Sequence, residues 1–369
     1  MEGLFSELKE RGLVDAVAGD KIEERLKKPL KAYVGFDPTA DSLHLGNYLA
    51  IVALARFQRA GHTPVILLGG ATGRIGDPSG KSKERPLLDD ATIEHNIASI
   101  RKNFEGLLDF SGKLPKPVFV NNNDWLSTFS FIDFLRDVGK TFRIGPMMAK
   151  ESVRSRVQSE EGMSFTEFSY QLLQSYDFHH LLETSDVCMQ IGGSDQWGNI
   201  TAGIELIRKL TGKTAYGLTL PLLTRSDGKK FGKSEEGAIW LSSDKLSPYQ
   251  FYQYLIGIPD ADVISLMKKL TFVPMEEVRA LEEEMGKEGY VPNTAQKRLA
   301  QELTQMVHGE EGLEIALRVT KETAPGSLVA LTAESISQIA SDMPNVELSF
   351  SDVVGQKYTQ DRKSTRLNS

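Results

Sequence analysis

Ala32-Tyr33-Val34-Gly35-Phe36, running into Asp37-Pro38-Thr39-Ala40-Asp41-Ser42-Leu43-His44-Leu45-Gly46-Asn47, is the stretch whose reading decides the fold. A short apolar run of strand character passes into a polar loop. From Leu45 to Phe57 the apolar residues Leu49, Val52, Ala53 and Leu54 then recur at helical spacing. Thr63-Pro64-Val65-Ile66-Leu67-Leu68-Gly69 reads as a fully buried strand ending in glycine. Pro117-Val118-Phe119-Val120 and Val187-Cys188-Met189-Gln190-Ile191 read the same way. Continuous apolar strands separated by helices predict a parallel sheet covered on both faces, and so an α/β fold. In such sheets ligands bind beyond the carboxyl ends of the strands, where the strand order reverses. The informative loops are therefore those that follow these runs.

Outward from this core the character of the chain changes. Residues 247–325 carry long charged and apolar helical patterns, as in Glu276 to Met285 and Ala295 to Val307, and predict a separate helical domain. Leu222 to Gly237 is a polar connector rich in Gly, Lys and Ser. The expected division is a sheet domain over 1–220, a connector over 221–246, the helical domain over 247–325 and a linker over 326–360. The 369-residue length agrees with two or three domains. With 43 Lys and Arg against 50 Asp and Glu, the net charge is −7. That excludes a wholly basic nucleic-acid coat and leaves room for a local basic patch. One cysteine, Cys188, allows neither an intrachain disulfide nor a cysteine-based zinc site. No apolar run approaches the ~18–20 residues that span a bilayer. Met1-Glu2-Gly3-Leu4 lacks the basic and apolar regions of a signal peptide, so a cytoplasmic protein is expected. The last nine residues, Asp361 to Ser369, read like a sequencing adapter translated in frame, with a genuine polar tail as the alternative.

Two stretches suit phosphate chemistry. The first lies around His44, where a helix opens. Unpaired N–H groups and a partial positive charge at a helix N-terminus suit a phosphate. Thr39 and His44 can donate hydrogen bonds to phosphoryl oxygens, and Gly46 lets a backbone and a flat base approach closely. A polar helix start is the bland alternative. The second is Lys230-Phe231-Gly232-Lys233-Ser234, where two lysines three apart on a glycine-flanked loop can bring ammonium groups onto a polyphosphate. A solvated basic turn fits it as well. A third constellation lies on the helix predicted over 165–177, with Thr166 as its expected cap. Tyr170, Gln174 and Asp177 stand at i, i+4 and i+7 and share one face. A polar trio on a face that packs against a sheet calls for a polar ligand, or else forms an internally satisfied cluster.

His44-Leu45-Gly46-Asn47 resembles the "HIGH" signature, and Lys230 to Ser234 the "KMSKS" signature, of the class I aminoacyl-tRNA synthetases. The last position of the first signature is Asn47 rather than His, and its amide can still donate near a ribose or base. Gly69-Gly70-Ala71-Thr72-Gly73-Arg74-Ile75-Gly76-Asp77-Pro78-Ser79-Gly80-Lys81 and Gly192-Gly193-Ser194-Asp195-Gln196-Trp197-Gly198-Asn199 are similar to segments of the bacterial tyrosyl-tRNA synthetases within that class. The glycines of the former are spaced neither as a dinucleotide fingerprint nor as a P-loop.

The resemblance implies a Rossmann-like catalytic domain, with a dimer-forming insertion about 115–165, followed by a helical anticodon-binding domain. It also implies that Leu348 to Val354 begin a further small RNA-binding domain of which 326–360 holds only a stub, so that tRNA charging should suffer more than adenylate formation. It implies L-tyrosine, ATP with Mg²⁺ and tRNA(Tyr) as partners, with no tightly bound metal. Tyr170, Gln174 and Asp77 would hold the tyrosine ammonium group; Asp177 and Tyr33 would reach its phenol, with Gln190 in the same pocket. Gly35, Asp37, His44, Gly46, Asn47, Gly192, Asp195, Lys230, Lys233 and Ser234 would line the ATP site, Asp195 accepting from the ribose hydroxyls unless it caps a helix. Catalysis would rest on His44, Thr39, Lys230 and Lys233. Lys81 and Arg85 would assist pyrophosphate binding or else form a solvated face. Lys150, Arg154, Arg156, Arg208 and Lys209 are the expected tRNA contacts. His179 and His180 have no spaced partner and read as structural. Three rivals share parts of this pattern: a tryptophanyl-type synthetase, a non-catalytic RNA-binding paralogue and a generic nucleotidyltransferase.

Overall fold

The computed structural model describes residues 3–80, 87–228, 231–234, 237–324, 326 and 328–340. The expectations for Lys81, Arg85, Lys230 and the chain beyond residue 340 lie outside these described residues.

The apolar runs form one six-stranded sheet. Its strands are β1 (Ala16–Ala18), β2 (Lys31–Phe36), β3 (Thr63–Leu68), β4 (Val118–Asn121), β5 (Val187–Gly193) and β6 (Tyr216–Leu220), in the order β1-β6-β5-β2-β3-β4. All pairs are parallel except β1 with β6. The order reverses at β2, which has β3 on one side and β5 on the other, so the switch point at which α/β sheets take ligands falls between β2 and β5.

Side chains alternate across the sheet, which separates two cores. Ala32, Val34 and Phe36 join Met189, Ile191 and the apolar face of α1 (Leu45–Arg59). Tyr33, Val65 and Leu67 face the other way, against Phe178, Leu181 and Leu182 of α2 (Phe165–Ser185). Ser164, not Thr166, caps α2: its side chain accepts from the Glu167 N–H at 3.2 Å, and Thr166 lies within the first turn. The third helix of this region is α3 (Trp197–Thr211).

Helices fill the chain from Pro248 to Glu322: α4 (Pro248–Ile256), α5 (Asp260–Leu270), α6 (Met275–Met285) and α7 (Thr294–Glu322), the last broken at Gly309. Proline at N1 and a Ser247/Gln250 capping box start α4. Arginines tie these helices to the sheet region. Arg11 donates to the Val273 carbonyl at 2.9 Å and to those of Lys268 and Thr271, and buried Arg56 donates to Thr271 O and Glu7. Cations here satisfy carbonyls left open at the end of α5. No described helix is long and apolar enough to cross a membrane.

Candidate active site

The loop after β2 and the loop after residue 230 meet. His44 is the N-cap of α1: its Nδ1 accepts from the Gly46 N–H at 3.0 Å, while Asn47 Oδ1 accepts from the His44 N–H at 3.2 Å. This reciprocal box is local work that the sequence reading had not assigned to either residue. An accepting Nδ1 places the proton of the neutral ring on Nε2. Against this cap lies the segment Phe231-Gly232, followed by a two-residue hairpin of β7 (Lys233–Ser234) and β8 (Gly237–Ala238). Two backbone bonds stitch the loops together, Leu45 N to Ile239 O at 2.7 Å and Leu241 N to Leu43 O at 2.9 Å, while Ile239 N to Gly232 O at 3.0 Å closes the second loop on itself. Gly232 has φ +85°, and a Cβ there would stand 2.9 Å from Gly46 N. Both facts require glycine. The Lys233 and Ser234 backbones thus follow directly from a residue packed on the His44 helix start.

The glycines after β3 are there for packing. A side chain on Gly69 would collide with Asp37 Oδ1, and a Cβ on Gly73 would stand 2.9 Å from Pro38 Cδ. Thr39, Gly35 and Gly46 are exposed along this rim. Gly35 shares the α2 side of the sheet with Tyr33, so the open face of a central strand continues toward a buried tyrosine.

Tyr33 and Gln190 are register partners on β2 and β5, at the strand-order reversal. Both are buried, and neither Tyr33 Oη nor Gln190 Oε1 has a hydrogen-bond partner among the described residues. Burial first, then the nearby Asp177 charge, hold the Tyr33 phenol well above its ordinary pKa. Asp177 is buried on α2 and accepts from Trp125 Nε1 at 2.8 Å and Asn122 Nδ2 at 3.0 Å. Burial raises its pKa to about 7, against the lowering effect of those two bonds. Asn122 also donates to Thr72 Oγ1 at 2.9 Å. Thr72 donates to Asp37 Oδ1 at 2.7 Å, and Tyr170 Oη donates to Asp37 Oδ2 at 2.8 Å. Asn122, Trp125 and Thr72 were not singled out from sequence; Asn122 directly follows β4, which was expected to be fully buried but is an edge strand, exposed at Val118 and half-buried over the rest.

A second network holds Asp77. It accepts from Ser79 N at 2.9 Å and Gln196 Nε2 at 2.6 Å. Gln174 donates to Gln196 Oε1 at 3.2 Å and accepts from Asn199 at 2.8 Å. The trio on α2 is therefore bonded to protein, while Tyr33 Oη and Gln190 Oε1 are the groups left open. Gly192 and Asp195 lie across from this network. A Cβ on Gly192 would stand 3.0 Å from Gln196 Cβ, and one on Gly80 3.2 Å from Asp195 Oδ2. Asp195 does not cap a helix, since α3 starts at Trp197 with Gln196 as an N-cap that makes no side-chain bond.

Two expected tRNA contacts are corrected. Arg156 is buried and paired with buried Glu167 at 2.7 Å, where no phosphate reaches it. Lys150 Nζ is spent on Gly198 O at 2.8 Å and Thr201 Oγ1 at 2.9 Å, and burial lowers its pKa. Arg154, Arg208 and Lys209 stand nearer solvent, paired with Glu151, Glu205 and Glu205 respectively. His180 stacks on Trp125 with ring centroids 4.4 Å apart, which braces the donor to Asp177. Among the described residues no three His, Cys, Asp or Glu converge as metal ligands.

Known proteins resemble this chain in sequence and in fold. The tyrosine–tRNA ligase of Protochlamydia amoebophila (strain UWE25) is 57% identical over 367 residues, which cover 100% of this chain and 86% of the relative. The chloroplastic/mitochondrial tyrosine–tRNA ligase of Arabidopsis thaliana is 53% identical over 94% of this chain and 70% of the relative. Among solved structures, a C-terminally truncated mitochondrial tyrosyl-tRNA synthetase of Aspergillus nidulans superposes with a TM-score of 0.75 at 31% identity, over 86% of this chain and 92% of that one. Residues 24–323 match the family model described as tRNA synthetases class I (W and Y), and with the paired loops, the reversed sheet and the relatives in agreement, the chain belongs to that family.

Proposed function

We propose that this chain is a tyrosine–tRNA ligase: it activates L-tyrosine with ATP to tyrosyl-adenylate and pyrophosphate, then transfers the tyrosyl group to the 3′-terminal adenosine of tRNA(Tyr). The observation that carries the substrate choice is the buried pair of open acceptor and donor atoms, Tyr33 Oη and Gln190 Oε1, beside Asp177. A buried polar atom without a partner is costly, and a ligand hydroxyl relieves that cost. Tyr33 and Asp177 read the phenol, with Gln190 in the same pocket. Asp77, Tyr170 and Gln174 hold the ammonium group, which a carboxylate and two polar side chains suit.

In the first step a tyrosine carboxylate oxygen forms a bond to the ATP α-phosphorus, and the bond to the bridging oxygen breaks in line, releasing Mg²⁺-pyrophosphate. No side chain acts as nucleophile. The protein positions the reactants and stabilises charge on the phosphates. His44, Thr39, Lys230 and Lys233 stabilise charge on the γ- and β-phosphoryl groups, and Lys81 and Arg85 assist the departing pyrophosphate. Gly35, Asp37, Gly46, Asn47, Gly192 and Ser234 line the nucleotide's path, with Asp195 at the ribose. In the second step the 2′-hydroxyl of the terminal adenosine attacks the tyrosyl carbonyl and AMP leaves.

Arg154, Arg208 and Lys209 are the remaining acceptor-arm contacts on this reading. Exposed Phe131, Ile132, Leu135, Ile144 and Phe165 support a homodimer through the region 115–165. The enzyme works in the cytoplasm, as a sheet domain with a helical anticodon-binding domain. ATP–pyrophosphate exchange assayed with each of the twenty amino acids tests the proposal. Exchange with tyrosine supports it; exchange with tryptophan instead, exchange without any amino acid, or none at all would overturn it.

A further inference from the structure

The loop that carries Lys233 has a second set of fixed points, and these lie on the helices beyond Pro248. Gly232 N donates to Tyr254 Oη of α4 at 3.3 Å. Upstream, Ser226 uses both oxygens of Asp262 on α5: its N–H donates to Oδ1 at 2.8 Å and its hydroxyl to Oδ2 at 3.2 Å. Asp262 is buried, as is Phe231, whose ring centroid stands 5.9 Å from that of Tyr254. Between loop and helices lies a cavity of about 370 Å³ lined by Arg225, Phe231, Gln253, Tyr254, Pro259 and Asp262. Close packing is therefore incomplete along this seam, and the discrete hydrogen bonds do more of the fixing than contact area does. The helical side of the seam is itself held. Gln253 Nε2 donates to Thr320 Oγ1 of α7 at 2.7 Å, and Gln296 of α7 donates to the Ile258 carbonyl at 3.1 Å. On its opposite flank Gly232 abuts Gly46 N. The residue that precedes Lys233 is thus gripped between the His44 helix start and Tyr254.

We infer that Tyr254 and Asp262 are positioning residues for adenylate formation: acting through Gly232 and Ser226, they set where the Lys233 loop stands relative to the His44 cap. This rests on the reading of Lys233 as a phosphate-facing group. A displaced loop weakens stabilisation of the transferring phosphates without touching the tyrosine pocket, so the effect falls on kcat rather than on the KM for tyrosine.

The test uses the full chain. Tyr254→Phe keeps the ring against Phe231 and deletes the acceptor of Gly232 N–H. Asp262→Asn keeps the shape and removes one acceptor from Ser226. Each variant is compared with the parent in tyrosine-dependent ATP–pyrophosphate exchange and in thermal melting. The expected result is a fall in kcat of about five-fold for either variant, with the KM for tyrosine unchanged and the melting temperature near that of the parent. Parental kcat in both variants would overturn the inference. So would a kcat loss accompanied by early melting and a raised tyrosine KM, the pattern of a purely structural role. A parent without tyrosine-dependent exchange would instead remove the functional reading on which the inference stands.

Discussion

Replacing Tyr33 by Phe should raise the stability of the free protein while it blunts the choice of amino acid. Tyr33 is 1% exposed and its hydroxyl has no partner among the described residues. Leaving a buried hydroxyl unpaired costs about 1–3 kcal/mol. The ring itself stays in place, tilted against Phe178 at a centroid distance of 5.3 Å. Deleting the oxygen from the unliganded protein should therefore recover about 1 kcal/mol, the low end of that range once a small gap is left behind. On the proposed reading the same oxygen gains a phenol partner when tyrosine binds, so the variant should forfeit one hydrogen bond worth about 0.5–1.5 kcal/mol. That corresponds to a loss of about 2- to 12-fold in kcat/KM for tyrosine, with kcat/KM for phenylalanine unchanged because phenylalanine pairs with neither form. Urea denaturation without ligand and pyrophosphate exchange with both amino acids measure the two effects. A variant that is less stable than the parent, or one that keeps the parental tyrosine-to-phenylalanine ratio, would refute the reasoning.

Burial holds the Asp177 pKa at about 7 in the folded protein, against ~3.9 in an unfolded chain. Between those values the folded state binds the extra proton, so the contribution of this group to stability is present at low pH and is lost as the pH rises toward 7. Asp177→Asn should accordingly flatten the decline of the urea midpoint between pH 4 and 7, and equal slopes in variant and parent would exclude the assignment. Gly232→Ala forces a side chain into φ +85° beside Gly46 N, at a cost of about 1–2 kcal/mol. Exchange should slow by about 5- to 30-fold while equilibrium dialysis shows unchanged tyrosine binding; a parental exchange rate would contradict the packing seen here. Arg156→Met leaves buried Glu167 unpaired and should cost about 3–5 kcal/mol of stability. The salt dependence of tRNA binding should not change, and a shallower salt slope with unaltered stability would restore Arg156 as a phosphate contact.

Four of the six strands, β2, β3, β4 and β5, were legible because a parallel sheet writes its inner strands as unbroken apolar runs, whereas the short antiparallel β1 and its neighbour β6 carry no such run. The polar faces of α2 and the two signature loops were legible for a similar reason: their periodicity and composition are local. What escaped was whatever depends on segments far apart in the chain. Asn122 and Trp125 look like ordinary loop residues until β4 brings them to Asp177. Arg156 and Lys150 read as surface charge, because nothing in their neighbourhood announces Glu167 or the carbonyl of Gly198. Capping also misled in both directions. Ser164 outcompetes Thr166 by a shift of two positions, and His44 turned out to serve the backbone of its own helix.

These two kinds of legibility correspond to two kinds of construction within one crevice. The proposed tyrosine end is made of buried side chains: Tyr33 of β2 and Gln190 of β5 with open polar atoms, and Asp177 of α2 tied to Asn122 and Trp125. The proposed nucleotide end is positioned by backbone: a capped helix start, glycines that Asp37, Pro38 and Gly46 crowd, and two main-chain bonds between distant loops. Side-chain substitutions at the first end therefore act on affinity and selectivity, whereas at the second end a methyl group on Gly232 does what a charge change does elsewhere. The two proposed ends are joined through Asp37, which accepts from Tyr170 and Thr72, while Gly232 and Tyr33 lie outside that link, so substitutions at these two should separate loss of rate from loss of amino-acid choice. Paired measurements of exchange rate and tyrosine affinity on Tyr33 and Gly232 variants separate the two losses.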